Sequence, residues 1–134
     1  MILDTHVAIW MAADAPMDAK ARNQITAAAK EHALYLSAIS AWEIATLVRG
    51  GRLRINLATD EYIRSLFALP GLREAPVSFE IGSLAGNLPD TFGGDPADRI
   101  IFATASFLGV PLATRDKRIQ RFASVHGTAT CVPV

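Results

Sequence analysis

The chain has one cysteine, Cys131, and three dispersed histidines, His6, His32 and His126. A lone thiol forms no intrachain disulfide, which fits a reducing compartment, and no Cys/His set has zinc-site spacing. Each histidine reads as structural or exposed rather than as a ligand. No apolar run approaches the roughly 20 residues needed to span a bilayer. The opening Met1-Ile2-Leu3-Asp4 lacks the basic start and long apolar stretch of a signal peptide, because a carboxylate arrives too early. A cytoplasmic protein without a membrane segment is the expectation. Charge of one sign is lacking too, since 13 basic residues balance 13 acidic ones. The strongly basic composition of a general nucleic-acid binder is thereby excluded, but local clusters remain at Arg49, Arg52 and Arg54 and at Arg115, Lys117, Arg118 and Arg121. Taken alone, each cluster reads as a solvated face.

What is present is apolar material, 51% of 134 residues, enough for one folded domain over residues 1–134. Short apolar runs alternate with longer helical stretches. Strands are expected at 1–3, 34–36, 73–77, 110–113 and 130–132. Helices are expected at 6–13, from the Asp18 cap to 30, from a Ser40-Ala41-Trp42-Glu43 capping box to Gly50-Gly51, and from Thr59 or Asp60 to 69. Others run from Ser78 to Gly86-Asn87, from Asp95-Pro96 to 108 with Gly109 as the stop, and over 117–122. Strands alternating with helices imply crossovers and a mostly parallel sheet covered on both faces, as α/β architecture requires. Ligands of such sheets sit beyond the carboxyl ends of the strands, where Asp4 and Asp116 fall.

Four acids stand at such points, and each has a bland explanation. Asp4 suits an Asx turn or a cap, Glu43 completes a capping box, Asp98 lies in the first turn of a helix and Asp116 precedes one. Together the bland explanations weaken. Two carboxylates about 4 Å apart repel by roughly 4 kcal/mol at an effective dielectric of 20, so a convergent group requires protons or a cation. An all-oxygen acidic site suits Mg²⁺ or Mn²⁺ rather than zinc.

The stretches Leu3-Asp4-Thr5-His6-Val7-Ala8-Ile9-Trp10, Ser37-Ala38-Ile39-Ser40-Ala41-Trp42-Glu43-Ile44-Ala45, Asp95-Pro96-Ala97-Asp98-Arg99-Ile100-Ile101 and Ala113-Thr114-Arg115-Asp116 closely resemble PIN domains, and more narrowly those of bacterial VapC-type toxins. The resemblance spans essentially the whole chain in the right order. It implies a three-layer α/β/α fold with a central sheet of about five strands. It also implies that Asp4, Glu43, Asp98 and Asp116 are the catalytic and metal-binding acids, with Asp95 the helix cap behind Asp98. Thr5, Ser40, Asp95 and Thr114 become hydroxyl or carboxyl neighbours of the site, and Arg99, Arg115, Lys117 and Arg118 candidates for RNA contact. The implied activity is hydrolysis of RNA phosphodiester bonds by in-line attack of water, supported by one or two Mg²⁺ or Mn²⁺ ions. The implied partners are an RNA substrate, a second copy of the chain and a VapB-type antitoxin, with Trp10, Met11, Ile44, Leu47 and Val48 as candidates for its groove. One departure is Gly93-Gly94, where relatives often carry a histidine and a basic residue before Asp-Pro; that loop is less cationic here. Rival readings are a stand-alone RNA-processing nuclease of the same fold, a phosphohydrolase using Asp4 as nucleophile, and a non-catalytic binding module.

Overall fold

The computed structural model describes residues 1–134. Five strands are present: β1 (Ile2–Leu3), β2 (Leu34–Ser37), β3 (Leu72–Ala75), β4 (Leu112–Thr114) and β5 (Cys131–Pro133). Between them lie α1 (Thr5–Ala12), α2 (Ala19–Lys30), α3 (Ile39–Arg49), α4 (Thr59–Phe67), α5 (Phe79–Gly86), α6 (Pro96–Leu108) and α7 (Lys117–His126), with one 3₁₀ turn at Asp90–Phe92. The strands form one sheet in the order β3-β2-β1-β4-β5, and every neighbouring pair is parallel. The chain starts in the middle strand, builds outward to one edge, then returns to build toward the other. The seam between β1 and β4 is therefore the place where a crevice opens at the carboxyl ends of the strands.

Strand alternation divides the core in two. Leu3, Leu34, Leu36 and Ala113 point to one face, where they meet Val7, Ile9, Ile25, Ile44 and Leu66. Ile2 and Leu112 point to the other, where they meet Phe92, Ile101, Phe102 and Phe122. The three phenylalanines pack at centroid separations of 5.0–5.5 Å, two of the three contacts edge-on. Fully burying side chains of this size contributes about 1.5–3 kcal/mol each. The two cores clamp β1 and β4 from both sides, so the ends of those strands are rigid platforms.

Helix boundaries follow the capping chemistry at most ends. Asp18, Ser78 and Asp95 each accept a first-turn N–H, from Ala21, Ile81 and Asp98 respectively. Gly109 ends α6 in the left-handed conformation. Three expectations are corrected. Ser40 is no cap: α3 begins at Ile39, whose N–H is taken by the Ser37 hydroxyl at 3.2 Å. Ser40 lies inside the helix, buried, and its hydroxyl pairs with that of Thr5 at 2.8 Å. β4 starts at Leu112 rather than at 110, because the Val110 N–H still closes the end of α6 on the Ala105 carbonyl. α7 runs on to His126, which stacks on Phe122 at 4.0 Å, and Gly127 at φ 66° stops it.

Two glycines separate backbone need from close approach. At Gly71 (φ 76°) an added Cβ would lie 2.1 Å from the Ala29 carbonyl oxygen, whereas at Gly51 (φ 73°) it would meet nothing. Gly51→Ala is therefore expected to cost about 1 kcal/mol, the left-handed penalty alone, and Gly71→Ala more than about 2 kcal/mol. Urea denaturation of the two variants, compared with the parent, checks the ordering.

Candidate active site

Asp4 follows β1 directly, and its N–H continues the ladder to the Ala113 carbonyl at 3.0 Å. Its side chain makes no cap bond to α1. Instead Asp4 Oδ2 accepts from the Thr114 hydroxyl at 2.6 Å, and Thr114 Oγ1 in turn accepts the Asp116 N–H at 3.1 Å. One buried threonine thus couples the acids after β1 and β4. Asp116 also caps α7, its Oδ1 accepting from the N–H groups of Arg118 and Ile119 at 2.8 and 3.3 Å. Asp98 stands in the first turn of α6 with its N–H bound to Asp95 Oδ1 at 3.0 Å. Glu43 comes up from α3. Carboxylate oxygens of Glu43, Asp95 and Asp98 lie within 4.8 Å of one another. A single cleft of about 490 Å³ is lined by all five acids, Asp4, Glu43, Asp95, Asp98 and Asp116.

Their proton affinities report this crowding. Burial raises the Asp4 carboxyl above its ordinary 3.8, and Asp116 adds to the rise; the Thr114 hydrogen bond opposes it. Burial raises Glu43 above 4.5, helped by Asp95, Asp4 and Asp98 and opposed by the Thr5 hydroxyl. Burial and then the charge of Asp95 raise Asp98, against the pull of Arg118. Asp116 goes the other way. Burial pushes it up, but the Arg118 guanidinium and the two α7 N–H groups outweigh that and hold it below 3.8. Three acids pushed toward protonation in one cleft are the electrostatic setting in which a bound cation would be favourable. Glu43 Oε1 is buried without a hydrogen-bond partner, which is costly for a carboxylate unless a ligand supplies the partner. The donor set is oxygen throughout, so the residues fit a hard divalent metal.

Comparison with known proteins adds the decisive observation. The PIN domain family matches residues 1–125. The chain belongs to the PIN-domain family. It is 34% identical over 122 residues, 90% of this chain and 89% of the relative, to Ribonuclease VapC22 of Mycobacterium tuberculosis (strain ATCC 25618 / H37Rv). Among solved structures it resembles VapBC2 from Rickettsia felis, bound to a DNA fragment from their promoter, with a TM-score of 0.69, 14% identity, and coverage of 98% of this chain and 96% of that one. It also resembles FitAcB from Neisseria gonorrhoeae, with a TM-score of 0.60, 22% identity and coverage of 97% and 94%. At those identities the structural likeness concerns the fold.

Of the residues singled out from sequence, this PIN domain brings Asp4, Glu43, Asp98 and Asp116 to one cleft and adds Asp95 as a full member of it, not only a cap. Thr114 touches Asp4, and the Thr5–Ser40 hydroxyl pair joins α1 to the first turn of α3, the helix that carries Glu43. The basic candidates separate. Arg115 lines the cleft, its guanidinium 4.2 Å above the Trp10 ring and its Nε bound to the Val134 carbonyl. Lys117 is exposed and outside the lining. Arg99 is turned away, donating to the Ala85 and Leu88 carbonyls. Arg118 is engaged with Asp98 and Asp116 themselves. Sequence reading did not place Arg52, His6 and Trp42 in the wall. The sequence carries no signal for His6 and Trp42 beyond their adjacency to Asp4 and Glu43 in the motifs. Ile44, named for a partner groove, is fully buried in the core, whereas Trp10, Met11, Leu47 and Val48 are half-buried against it.

The pKa directions fix a pH dependence for metal-free protein. The folded state keeps protons on Asp4, Glu43 and Asp98 to higher pH than the unfolded chain does. Their contribution to stability is present at low pH and is lost as pH rises from 3.8–4.5 through the raised values. Asp116 contributes oppositely, stabilising above 3.8 and losing that as pH falls through its lowered value. Glu43→Gln removes one charge from the crowd. In chelator near pH 7.5 it is expected to raise Tm by about 2–4 °C, the size of roughly 1 kcal/mol in a domain this large. The gain is expected to vanish by about pH 3, well below the ordinary 4.5, where Glu43 is protonated in both states. Calorimetric melts at the two pH values check this.

Proposed function

We propose that this PIN domain, taken as a single domain over residues 1–134, is a metal-dependent endoribonuclease that hydrolyses RNA phosphodiester bonds as the toxin of a type II toxin–antitoxin pair. The observation that carries the chemistry is the five-acid cleft with a buried, unpartnered Glu43 oxygen at the β1–β4 seam. Support for RNA as substrate comes from the 34% identity to Ribonuclease VapC22. Support for an antitoxin comes from the toxin–antitoxin complex of Klebsiella pneumoniae, another chain of the same fold (TM-score 0.59, 21% identity).

Glu43 and Asp98, with Asp95 and Asp4 beside them, would hold Mg²⁺ or Mn²⁺, while Asp116 completes the acidic wall with its oxygens engaged by Arg118 and the first N–H groups of α7. When bound, such an ion supplies Lewis acidity for in-line attack of water on phosphorus and stabilises charge on the leaving oxygen. The chain's own groups do the rest. Thr114 fixes the Asp4 carboxylate, and the Asp95 cap fixes the backbone on which Asp98 stands. Glu43 Oε1, free of any protein donor, is available as a ligand or as the acceptor that orients a water. Arg52 and Arg115 on the wall offer positive charge to a phosphate that bare carboxylates would repel. Trp42, 53% exposed on the same wall, offers a ring on which a base can stack. Trp10 and Leu47 border the cleft, and Met11 and Val48 beside them in sequence are likewise half-buried against the same core. An antitoxin segment lying along that half-buried apolar row would cover the cleft, and a homodimer is the expected state of the free toxin.

Asp98→Asn and Asp4→Asn are each expected to lower metal-dependent cleavage of single-stranded RNA by about 100-fold or more. Wild-type rates in a preparation free of contaminating nuclease would overturn the assignment. Trp42→Ala is expected to weaken RNA binding by about 1–3 kcal/mol and to leave Mn²⁺ affinity unchanged, measured with a non-cleavable RNA. Arg115→Glu is expected to weaken that binding and flatten its salt dependence.

A further inference from the structure

Among the basic residues near the cleft, Arg118 is the one built into the acids. A single nitrogen, Nη2, donates to Asp98 Oδ2 at 2.8 Å and to Asp116 Oδ2 at 3.0 Å. The other, Nη1, donates to the carbonyl of the fully buried Phe92 at 3.2 Å. The head group is also fixed from its own backbone, because Asp116 Oδ1 caps the N–H of Arg118.

The loop before α6 is shaped around this guanidinium. Gly93 and Gly94 both take positive φ, 64° and 71°. A Cβ at Gly94 would lie 2.5 Å from Arg118 Nη1, 3.1 Å from Nη2 and 3.1 Å from Asp98 Oδ2, and one at Gly93 would lie 3.3 Å from Nη1. At Gly94 any other residue meets both a strained backbone and an occupied space. The cluster has a second lobe of different character. Glu43, Asp95 and Asp98 have mutually close oxygens, yet neither Glu43 nor Asp95 pairs with any base. Positive charge is supplied by the chain in one lobe and is missing from the other, and Asp98 is common to both.

We propose that Arg118 is this chain's own counter-ion, standing between Asp98 and Asp116 where a second divalent cation would otherwise bind, so that the cleft takes one such cation, in the Glu43–Asp95–Asp98 lobe. The inference rests on the reading that the cleft binds a divalent metal. It makes Arg118 a positioning residue that sets metal number, with the Gly93-Gly94 loop as its seat. A cation entering between Asp98 and Asp116 has to displace a guanidinium that makes three hydrogen bonds, and a monovalent group already neutralises those oxygens.

Titration of metal-stripped full-length protein with Mn²⁺, followed by calorimetry and by the Mn²⁺ paramagnetic resonance signal, tests the proposal. Wild type is expected to bind one Mn²⁺ per chain. Arg118→Met, which loses both the charge and the hydrogen-bond donors, and Arg118→Gln, which loses the charge but keeps an amide donor, are each expected to bind a second Mn²⁺ at least about tenfold more tightly than wild type does. Arg118→Lys keeps the charge and is expected to remain at one. In chelator both neutral variants are expected to melt below wild type, and Mn²⁺ is expected to close the gap. Folding is checked by circular dichroism, and Gly94→Ala, which crowds the guanidinium from the opposite side, serves if a neutral variant does not fold; it too is expected to gain Mn²⁺ binding. A folded neutral variant with wild-type stoichiometry and affinity, or a wild type that binds two ions, overturns the proposal. Absence of any Mn²⁺ binding to wild type would overturn the metal reading itself.

Discussion

Carboxylates repel one another, and five of them face one cleft at the carboxyl edge of this sheet. The fold has to hold that arrangement against its own electrostatics, and much of the local structure is explained by how it does so. Asp4 is clamped by the Thr114 hydroxyl, Asp116 is used up at the start of α7, and Asp95 is used at the start of α6. Each carboxylate is thus partly neutralised by donors of the backbone or of a neighbour, which costs less than leaving it bare in a half-buried site. Glu43 is the exception, with one buried oxygen that no protein group satisfies. The cluster is thus satisfied by the chain's own donors except at that one buried oxygen, which only a group from outside the chain can complete.

The parallel sheet makes such an arrangement possible. β1 and β4 are central and adjacent, packed on one face by aliphatic side chains and on the other by the Phe92–Phe102–Phe122 cluster. The strands are hydrogen-bonded neighbours, so Asp4 and Thr114 meet across 110 residues of sequence at 2.6 Å. The helices that bring Glu43 and Asp98 are anchored the same way, by buried Ile44 on α3 and by buried Ile101 and Phe102 on α6. Each of these acids thus has a core residue beside it in sequence, Leu3 and Thr5 at Asp4, Ile44 at Glu43 and Ala97 at Asp98, which anchors the element that presents it. The polar wall opposite, with Arg52, Arg115 and Trp42, is the part left exposed for a ligand.

Positive charge is distributed with equal economy. The chain carries no net charge, so attraction of a nucleic acid depends on where its arginines lie. Arg99 is tied to the last carbonyls around α5 and braces the loop before α6. Arg118 is tied to the acids. Arg115 reaches the cleft with its terminal nitrogens uncommitted, held in place by Trp10 and the Val134 carbonyl. Three arginines in similar sequence contexts thus have three separate settings: backbone carbonyls, the acids themselves, and the open cleft.

The order of elements, the acids at strand ends and helix starts, and the caps at Asp18, Ser78, Asp95 and Gly109 were legible in the sequence, because each depends on a few consecutive residues. Local hydrogen bonding and hydrophobic period act over that range and leave a pattern that can be read along the chain. The resemblance to PIN domains rested on the same short stretches. Where a hydroxyl or a guanidinium finds its partner is a different matter. Ser40 had the spacing of a cap, but packing of α1 against α3 set it opposite Thr5. Arg99, Arg115 and Arg118 were indistinguishable as basic residues near acids, and Asp95 read as a cap and a neighbour of the site rather than as part of its wall. Their settings depend on contacts between elements, Arg99 with carbonyls around the end of α5, Arg115 with Trp10 and Val134, and Arg118 with Asp98 and the Phe92 carbonyl, which no local signal encodes. Sequence alone determined which chemical groups this protein has and which elements carry them. Only the tertiary structure decided which of those groups share a cleft, because long side chains reach whatever partner the packed sheet brings within about 3 Å.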